Sequence, residues 1–329
     1  MPRPRQTPPA PAVRSAPPPG VNASAWRILL LGALLVAAIV FSYQPAWHAG
    51  FIWDDDEYVT HNPLLTAPDG LQRIWFSTDS PSQYFPLTYT SFRAQHALWG
   101  LNPAGYHWVN ILLHAVNALL LWRLLVRLAI PGAWFGAALF ALHPLQVESV
   151  AWISELKNVQ SLFFILLTLL VWERFTAPKS TPGPVRPSRL SPFTLPSSLF
   201  YPAALAFHAL ALFSKTTACT VPAALVLILW LRHRPLTRVR WLQIAPFVAF
   251  GLIMGLVSVW WERNQQGTGG AEFSYGILDR LLIAARALCF YFGKLLWPEN
   301  LTFSYPLWSI DPRSPAAWAW FLPLGALAL

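Results

Sequence analysis

The chain is predicted to be all-α and polytopic in a membrane, and three observations carry that prediction. Only 11% of its 329 residues are charged, less than half the ~25% of an ordinary soluble domain. The hydrophobic residues, 55% of the total, gather in runs close to the ~20 residues that a helix needs to cross a bilayer. Finally, runs such as Ile28-Leu29-Leu30-Leu31 and Phe163-Phe164-Ile165-Leu166-Leu167 do not alternate apolar with polar, as the strands of a membrane barrel must.

Residues 1–25 are rich in Pro, Ala and Arg without apolar periodicity and are expected to be a disordered cytoplasmic tail. The first apolar run begins late, and no small-residue cleavage site follows Tyr43, which argues against a signal peptide. Spans are expected near 26–43, 104–122, 131–146, 157–172, 199–214, 217–231, 242–261 and 277–297. A ninth begins near 316 and is still apolar at Leu329. Residues 26–329 therefore read as one membrane domain of about nine spans. Among the connections, fourteen Lys and Arg residues fall on the side of the amino terminus and six on the other. The positive-inside rule then puts the amino terminus in the cytoplasm. That bias also accounts for the net charge of +9 without a nucleic-acid partner. Parity beyond residue 281 is open, because Lys294 and Arg313 follow.

The first outer loop, 44–102, is far longer than the others, and long loops in compact proteins tend to be functional. Leu71, Ile74 and Trp75, and then Tyr89, Phe92, His96 and Trp99, recur at helical spacing. They predict short amphipathic helices in a folded cap. Cys219 and Cys289 lie in apolar segments without ligand spacing and are expected to be buried thiols.

Four places could carry chemistry. Asp54-Asp55-Asp56-Glu57 follows the first span. An ion at bilayer depth costs roughly 2.5–3.5 kcal/mol on insertion scales, so this knot belongs at the water interface or in a wet cavity. Carboxylates so close raise one another's pKa, which suits a general base, while a cluster suits a divalent cation. Simple solvation is the competing reading. His107, Asn110, His114 and Asn117 share one helical face, which must look into the bundle as glue between helices or as a cavity wall. Beyond Pro144, which ends a helix, the stretch His143 to Ser149 with Glu148, then Glu155, Lys157 and Asn158, forms a second polar loop. Lys215 is a lone cation between two apolar spans, placed either to snorkel or to bind a phosphate. Arg280 and Arg286 raise the same question, and Arg286, lying deeper, is expected to have an anionic partner. The chain has no nucleotide loop, zinc signature or serine-nucleophile elbow.

Phe51-Ile52-Trp53-Asp54-Asp55-Asp56-Glu57-Tyr58-Val59 with Asn62-Pro63 resembles the start of the transmembrane and tetratricopeptide-repeat O-mannosyltransferase-like proteins. The resemblance continues in His107-Trp108-Val109-Asn110-Ile111-Leu112-Leu113-His114, in His143-Pro144 through Asn158, and in Leu212-Phe213-Ser214-Lys215. It returns in Lys294-Leu295-Leu296-Trp297-Pro298 with Ser304-Tyr305-Pro306. The resemblance implies a GT-C glycosyltransferase that moves a mannose-like sugar from a polyprenyl-phosphate donor to a Ser or Thr hydroxyl of a translocated protein. It implies an active site in the first outer loop, with Asp54 or Asp55 as base and Asp56 and Glu57 behind them or facing a metal. Lys157, Lys215 and Arg280 are the implied donor-phosphate ligands, the cavity being lined by His107, Asn110, His114, His143 and Glu148. Leu156 stands where such proteins often have arginine. The setting expected is a bacterial inner membrane with the site in the periplasm, and tetratricopeptide repeats are expected beyond Leu329. The competing functions are a carrier or flippase for lipid-linked intermediates, and a membrane-anchored repeat scaffold.

Overall fold

A computed structural model describes residues 23–78, 83–178, 197–265, 275–306, 308 and 310–328. The expected tail lies almost wholly outside these residues. In order the helices are α1 (Ala23–Ser42), α2 (Gly70–Phe76), α3 (Pro86–Trp99), α4 (Pro103–Arg127) and α5 (Ala133–Leu142). They continue with α6 (Gln146–Ala151), α7 (Leu156–Thr176), α8 (Phe200–Ser214), α9 (Val221–Leu231), α10 (Arg238–Gln265), α11 (Ile277–Leu296), α12 (Pro315–Trp318) and α13 (Phe321–Ala328). No strand occurs among the described residues.

Four helical stretches are long and apolar enough to cross a membrane: Ala25–Ser42, Pro103–Arg127, Ile153–Thr176 and Arg238–Gln265. Three shorter apolar stretches, Ala133–Leu142, Phe200–Ser214 and Thr216–Leu231, accompany them. The count of about nine spans is therefore not confirmed. Helix α11 is long enough but carries four charged residues, Asp279, Arg280, Arg286 and Lys294, and α13 is only 8 residues long. Fold class stands as predicted: an all-helical membrane protein.

Local sequence explains the main boundaries. Asn102 caps α4 by accepting the Ala104 N–H at 3.2 Å, and Pro103 occupies the first turn, where its missing N–H costs nothing. Helix α3 likewise opens on Pro86 and stops at Gly100, whose φ of +56° suits glycine. Small side chains then let helices approach closely. Ala204 and Ala211 of α8 are fully buried against α7, and Ser161 Oγ donates to the Ala211 carbonyl at 3.0 Å.

The long loop folds onto the bundle as α2 and α3. Ile74, Tyr89 and Phe92 are buried in the core shared with α1, α4 and α5, and Thr88 Oγ1 donates to the Ser214 carbonyl at the end of α8. The polar stripe of α4 is spent on backbone. Asn110 donates to the Trp152 carbonyl at 2.9 Å, Asn117 to that of Val159 at 2.8 Å, and His114 Nε2 lies 2.9 Å from that of Ala141. Of the two open readings, glue between helices fits these contacts. Two expectations need correction. Cys219 is exposed and Cys289 only partly buried, rather than both buried as expected. Arg286 meets aromatic faces instead of an anion, with its guanidinium 4.5 Å from the Trp308 ring centre and 5.7 Å from that of Trp320.

Candidate functional site

The knot is held by its backbone. Trp53 has φ +47°, a left-handed conformation that is costly for a bulky residue. Its indole packs on Phe303 and Trp152, with ring centres 4.3 and 5.6 Å away, and those contacts hold the turn. Immediately after it, Asp56–Thr60 makes one π-helical turn, closed by His61 N–H donating to the Asp56 carbonyl at 2.7 Å. Such single wide turns recur at functional sites.

This geometry sends the four carboxylates different ways. Asp55 is fully buried. Its Oδ2 accepts the Ile52 N–H at 2.9 Å and its Oδ1 the Ser154 N–H at 2.7 Å, so it pins the knot to the junction between α6 and α7. Burial pushes the Asp55 carboxyl above its ordinary range, against the pull of those N–H donors and of His107. Asp56 Oδ1 accepts from Thr60 Oγ1 at 2.7 Å. Asp56 also lines a cavity of about 440 Å³ with His61 and Arg73, and Glu57 shares that cavity. Asp54 is exposed and faces a different cavity, of about 590 Å³.

Glu57, Tyr58, Gln83, Glu148, Glu155, Lys157 and Lys215 line that larger cavity with Asp54, and Thr216, Ser258 and Glu262 complete its far side. Glu155 sits between the two lysines. Its Oε1 is 2.6 Å from Lys157 Nζ and its Oε2 3.6 Å from Lys215 Nζ. Asn158 completes the network, donating to Glu155 Oε2 at 2.5 Å and to Ser149 Oγ at 2.9 Å, while it accepts from Lys215 Nζ. Lys157 Nζ also stands 4.8 Å from the ring centre of Tyr58, whose hydroxyl donates to Gln83 Oε1 at 2.8 Å. Desolvation holds the Lys215 ammonium below its ordinary range, with Glu155 pulling the other way. Glu148 is pushed up, first by desolvation and then by the charge of Glu155.

A second large cavity, of about 700 Å³ and mainly apolar, adjoins this one. Ala46, Ile52, Trp53, Leu145, Val147, Tyr291 and Leu301 are among its walls, and Glu148, Trp152 and Phe303 line both cavities. Polar and apolar chambers thus meet across an aromatic partition, in which the Trp152 and Phe303 rings are 4.8 Å apart.

Of the residues singled out in the sequence, Asp54, Glu57, Glu148, Lys157 and Lys215 share one cavity, and His107 lines the apolar one. Asp55, Asn110 and His114 are buried in bonds to backbone groups. His143 Nε2 lies 3.0 Å from the Leu295 carbonyl. Arg280 lines neither chamber, and its Nε donates to the Tyr275 carbonyl at 3.0 Å. Leu156, at the departure from the family pattern, is buried in the core, and the second cation of the cavity comes instead from Lys215 on a different helix end. Among the described residues no group of three or more His, Cys, Asp or Glu side chains is placed to hold a metal ion. Sequence reasoning missed Tyr58, Gln83, Ser258, Glu262 and Phe303 as cavity walls, whereas Glu155 belongs to the second polar loop that it singles out. A signal existed for Ser258 and Glu262: polar residues four apart in an apolar helix share a face that must find a wet or paired setting.

No family model matches the chain, and no solved structure matches it. Among curated proteins it is similar to protein O-mannosyl-transferase TMTC2 of Mus musculus, 35% identical over 141 residues, which is 40% of this chain and 17% of that protein. TMTC1 of Mus musculus is 31% identical over 181 residues, 51% of this chain and 19% of the relative. TMTC4 of Homo sapiens is 29% identical over 170 residues, 44% of this chain and 22% of the relative. The match thus spans about a fifth of the length of these relatives. The chain's curated homologues are protein O-mannosyl-transferases, glycosyltransferases that it resembles at 28% to 35% identity over about half of its own length.

Proposed function

We propose that the chain carries the catalytic membrane portion of a glycosyltransferase, which moves a mannose-like sugar from a polyprenyl-phosphate carrier to a Ser or Thr hydroxyl of a translocated protein. The observation that carries this reading is the pair of adjoining chambers. One, of about 590 Å³, sets the two ammonium groups of Lys157 and Lys215 among the carboxylates of Asp54, Glu57, Glu148, Glu155 and Glu262, and it shares Glu148, Trp152 and Phe303 with an apolar chamber of about 700 Å³. A ligand with a phosphate head and a hydrocarbon tail fits such a pair, because each part meets its own kind of surface. The names of the homologues support sugar transfer to protein.

In the reaction, the acceptor oxygen forms a bond to the anomeric carbon while the bond from that carbon to the carrier phosphate breaks. Asp54 takes the hydroxyl proton, being the knot carboxylate that faces the cavity without a hydrogen bond or ion pair of its own among the described residues. A base so placed is worth about 100- to 10,000-fold in rate. Charge builds on the leaving phosphate, and Lys157 and Lys215 stabilise it, a preorganised cation gaining most where water is scarce. Before donor arrives, Glu155 holds the two ammonium groups in place. Displacement from the opposite face inverts the anomeric centre. The site works on the outer face, with the amino terminus in the cytoplasm.

The test is transfer of labelled mannose from polyprenyl-phosphate mannose to a Ser/Thr peptide by the reconstituted chain and its Asp54→Asn variant. Transfer lost in the variant, with donor binding retained, supports the reading. Equal transfer by both proteins removes Asp54 as base.

A further inference from the structure

Helix α11 has two unlike sides. Ile277, Leu281, Leu288 and Leu295 fall on one row and are 80%, 53%, 61% and 53% exposed, while Arg286 lies on the opposite side of the helix. Four charged residues in 20 make α11 too polar to count among the spanning helices. The segment before it and its own last turn both meet the part of the molecule that carries the knot and its two chambers. Upstream, Ser258 and Glu262 of α10 line the Asp54 cavity, and Gln265 Nε2 donates to the Thr78 carbonyl in the long loop at 2.7 Å. Nine residues, 266–274, separate Gln265 from Tyr275. A crossing helix takes about 20, and a crossing without one would leave backbone groups unpaired in hydrocarbon at several kcal/mol each. Downstream, the Leu295 carbonyl meets His143, and Tyr291 and Lys294 line the apolar chamber with Trp53.

We propose that α11 lies along the membrane surface on the side of the acidic knot, with its Ile277–Leu295 row seated in that lipid leaflet. The partner is the bilayer itself. An apolar row backed by charged residues is the pattern by which a helix binds in the interface plane, and the nine residues 266–274 are too few to form a helix that crosses. Because Tyr291 and Lys294 also wall the apolar chamber, the helix sets where that chamber meets the leaflet. Resting on the function proposed above, a carrier lipid would then enter from this leaflet beneath α11.

The test is topological and independent of sugar transfer. In the full chain carrying Cys219→Ser and Cys289→Ser, single cysteines are placed at Arg280 and at Gly293, where an added side chain meets open space. These sites are ~20 Å apart along the helix. Thr66→Cys and Leu236→Cys mark the two sides of the vesicle, since Thr66 belongs to the long loop and Leu236 precedes α10 at its other end. A membrane-impermeant maleimide is expected to label both α11 positions from the Thr66 side. Labelling of Arg280→Cys from the Leu236 side overturns the proposal. A bimane at Leu281→Cys, Leu288→Cys or Leu295→Cys provides a second reading in case one variant misfolds. Equal quenching by lipid-borne nitroxides at a shallow position supports the surface arrangement, and quenching greatest at the bilayer centre for Leu288→Cys overturns it.

Discussion

The two sides of the acidic knot differ more than their sequence suggests. On the side facing the bundle, Asp55 has no exposed surface and both its oxygens accept backbone N–H groups. On the side facing the cavity, Asp54 opens onto a chamber with Lys157 and Lys215. Adjacent identical residues thus have unlike surroundings, one bracing the loop and the other open to the cavity. What separates them is the backbone turn at Trp53 and the π-helical turn that follows it, not any property of aspartate. A charge pattern alone can locate such a site, but the roles within it depend on which carboxylate finds N–H donors.

The largest effect that distinguishes the two sides is expected at Asp54. Asp54→Asn should lower the rate of sugar transfer by about 100- to 10,000-fold, yet leave thermal unfolding within about 0.5 kcal/mol of the parent. A variant that also unfolds early would make Asp54 a second brace and erase the contrast. Lys157 belongs to both sides, since it lines the cavity and is itself buried against Glu155. Lys157→Gln should destabilise the protein by about 3–5 kcal/mol, because Glu155 would keep its buried charge with a partner gone. Calorimetric unfolding in detergent measures this, and an unchanged transition would mean that the Glu155–Lys215 contact suffices.

Asp55→Asn comes next. Replacing one acceptor oxygen by an NH2 group sets donor against donor at Ile52 or Ser154 and should cost about 1–3 kcal/mol, with transfer and stability falling together. The pH dependence is specific. Burial raises the Asp55 pKa above its ordinary 3.8, so between these two values the folded state holds more proton than the unfolded one. Stability therefore rises as pH falls through that window and is lowest, for this group, above it. A comparison of unfolding curves across mildly acidic pH should show this gain in the parent and not in Asp55→Asn. The same slope in both proteins would assign it to another group.

Much of the architecture could be read from the chain because bilayer crossing imposes length and composition together. The α4 stripe could be assigned to an inward face for the same reason, since His107, Asn110 and His114 cannot look into lipid. Their partners were not legible: they are carbonyls of Ala49, Trp152 and Ala141, and a backbone carbonyl leaves no mark on sequence. The reading of 277–297 as a span is not confirmed, because the four charged residues of α11 keep it out of the helices apolar enough to cross. Window hydrophobicity registers how much apolar surface a helix has, whereas its direction is set by where the neighbouring segments end. The joining of Glu148, Trp152 and Phe303 into one partition likewise depends on a contact between positions about 150 residues apart.

The smallest expected effect tests the cavity side alone. Desolvation holds the Lys215 pKa below its ordinary 10.5, so its ammonium loses the proton earlier on the alkaline side than a free lysine would. If Lys215 binds the donor phosphate, KM for the carrier should climb as pH rises through the range below 10.5, while kcat changes less. Arginine keeps its charge there. Lys215→Arg should therefore flatten the alkaline rise in KM and cost only a modest, pH-independent loss from its altered reach to Asn158 and Glu155. An alkaline rise that persists unchanged in Lys215→Arg would detach this residue from the phosphate and leave the task to Lys157, with Lys215 serving to hold Glu155 in position.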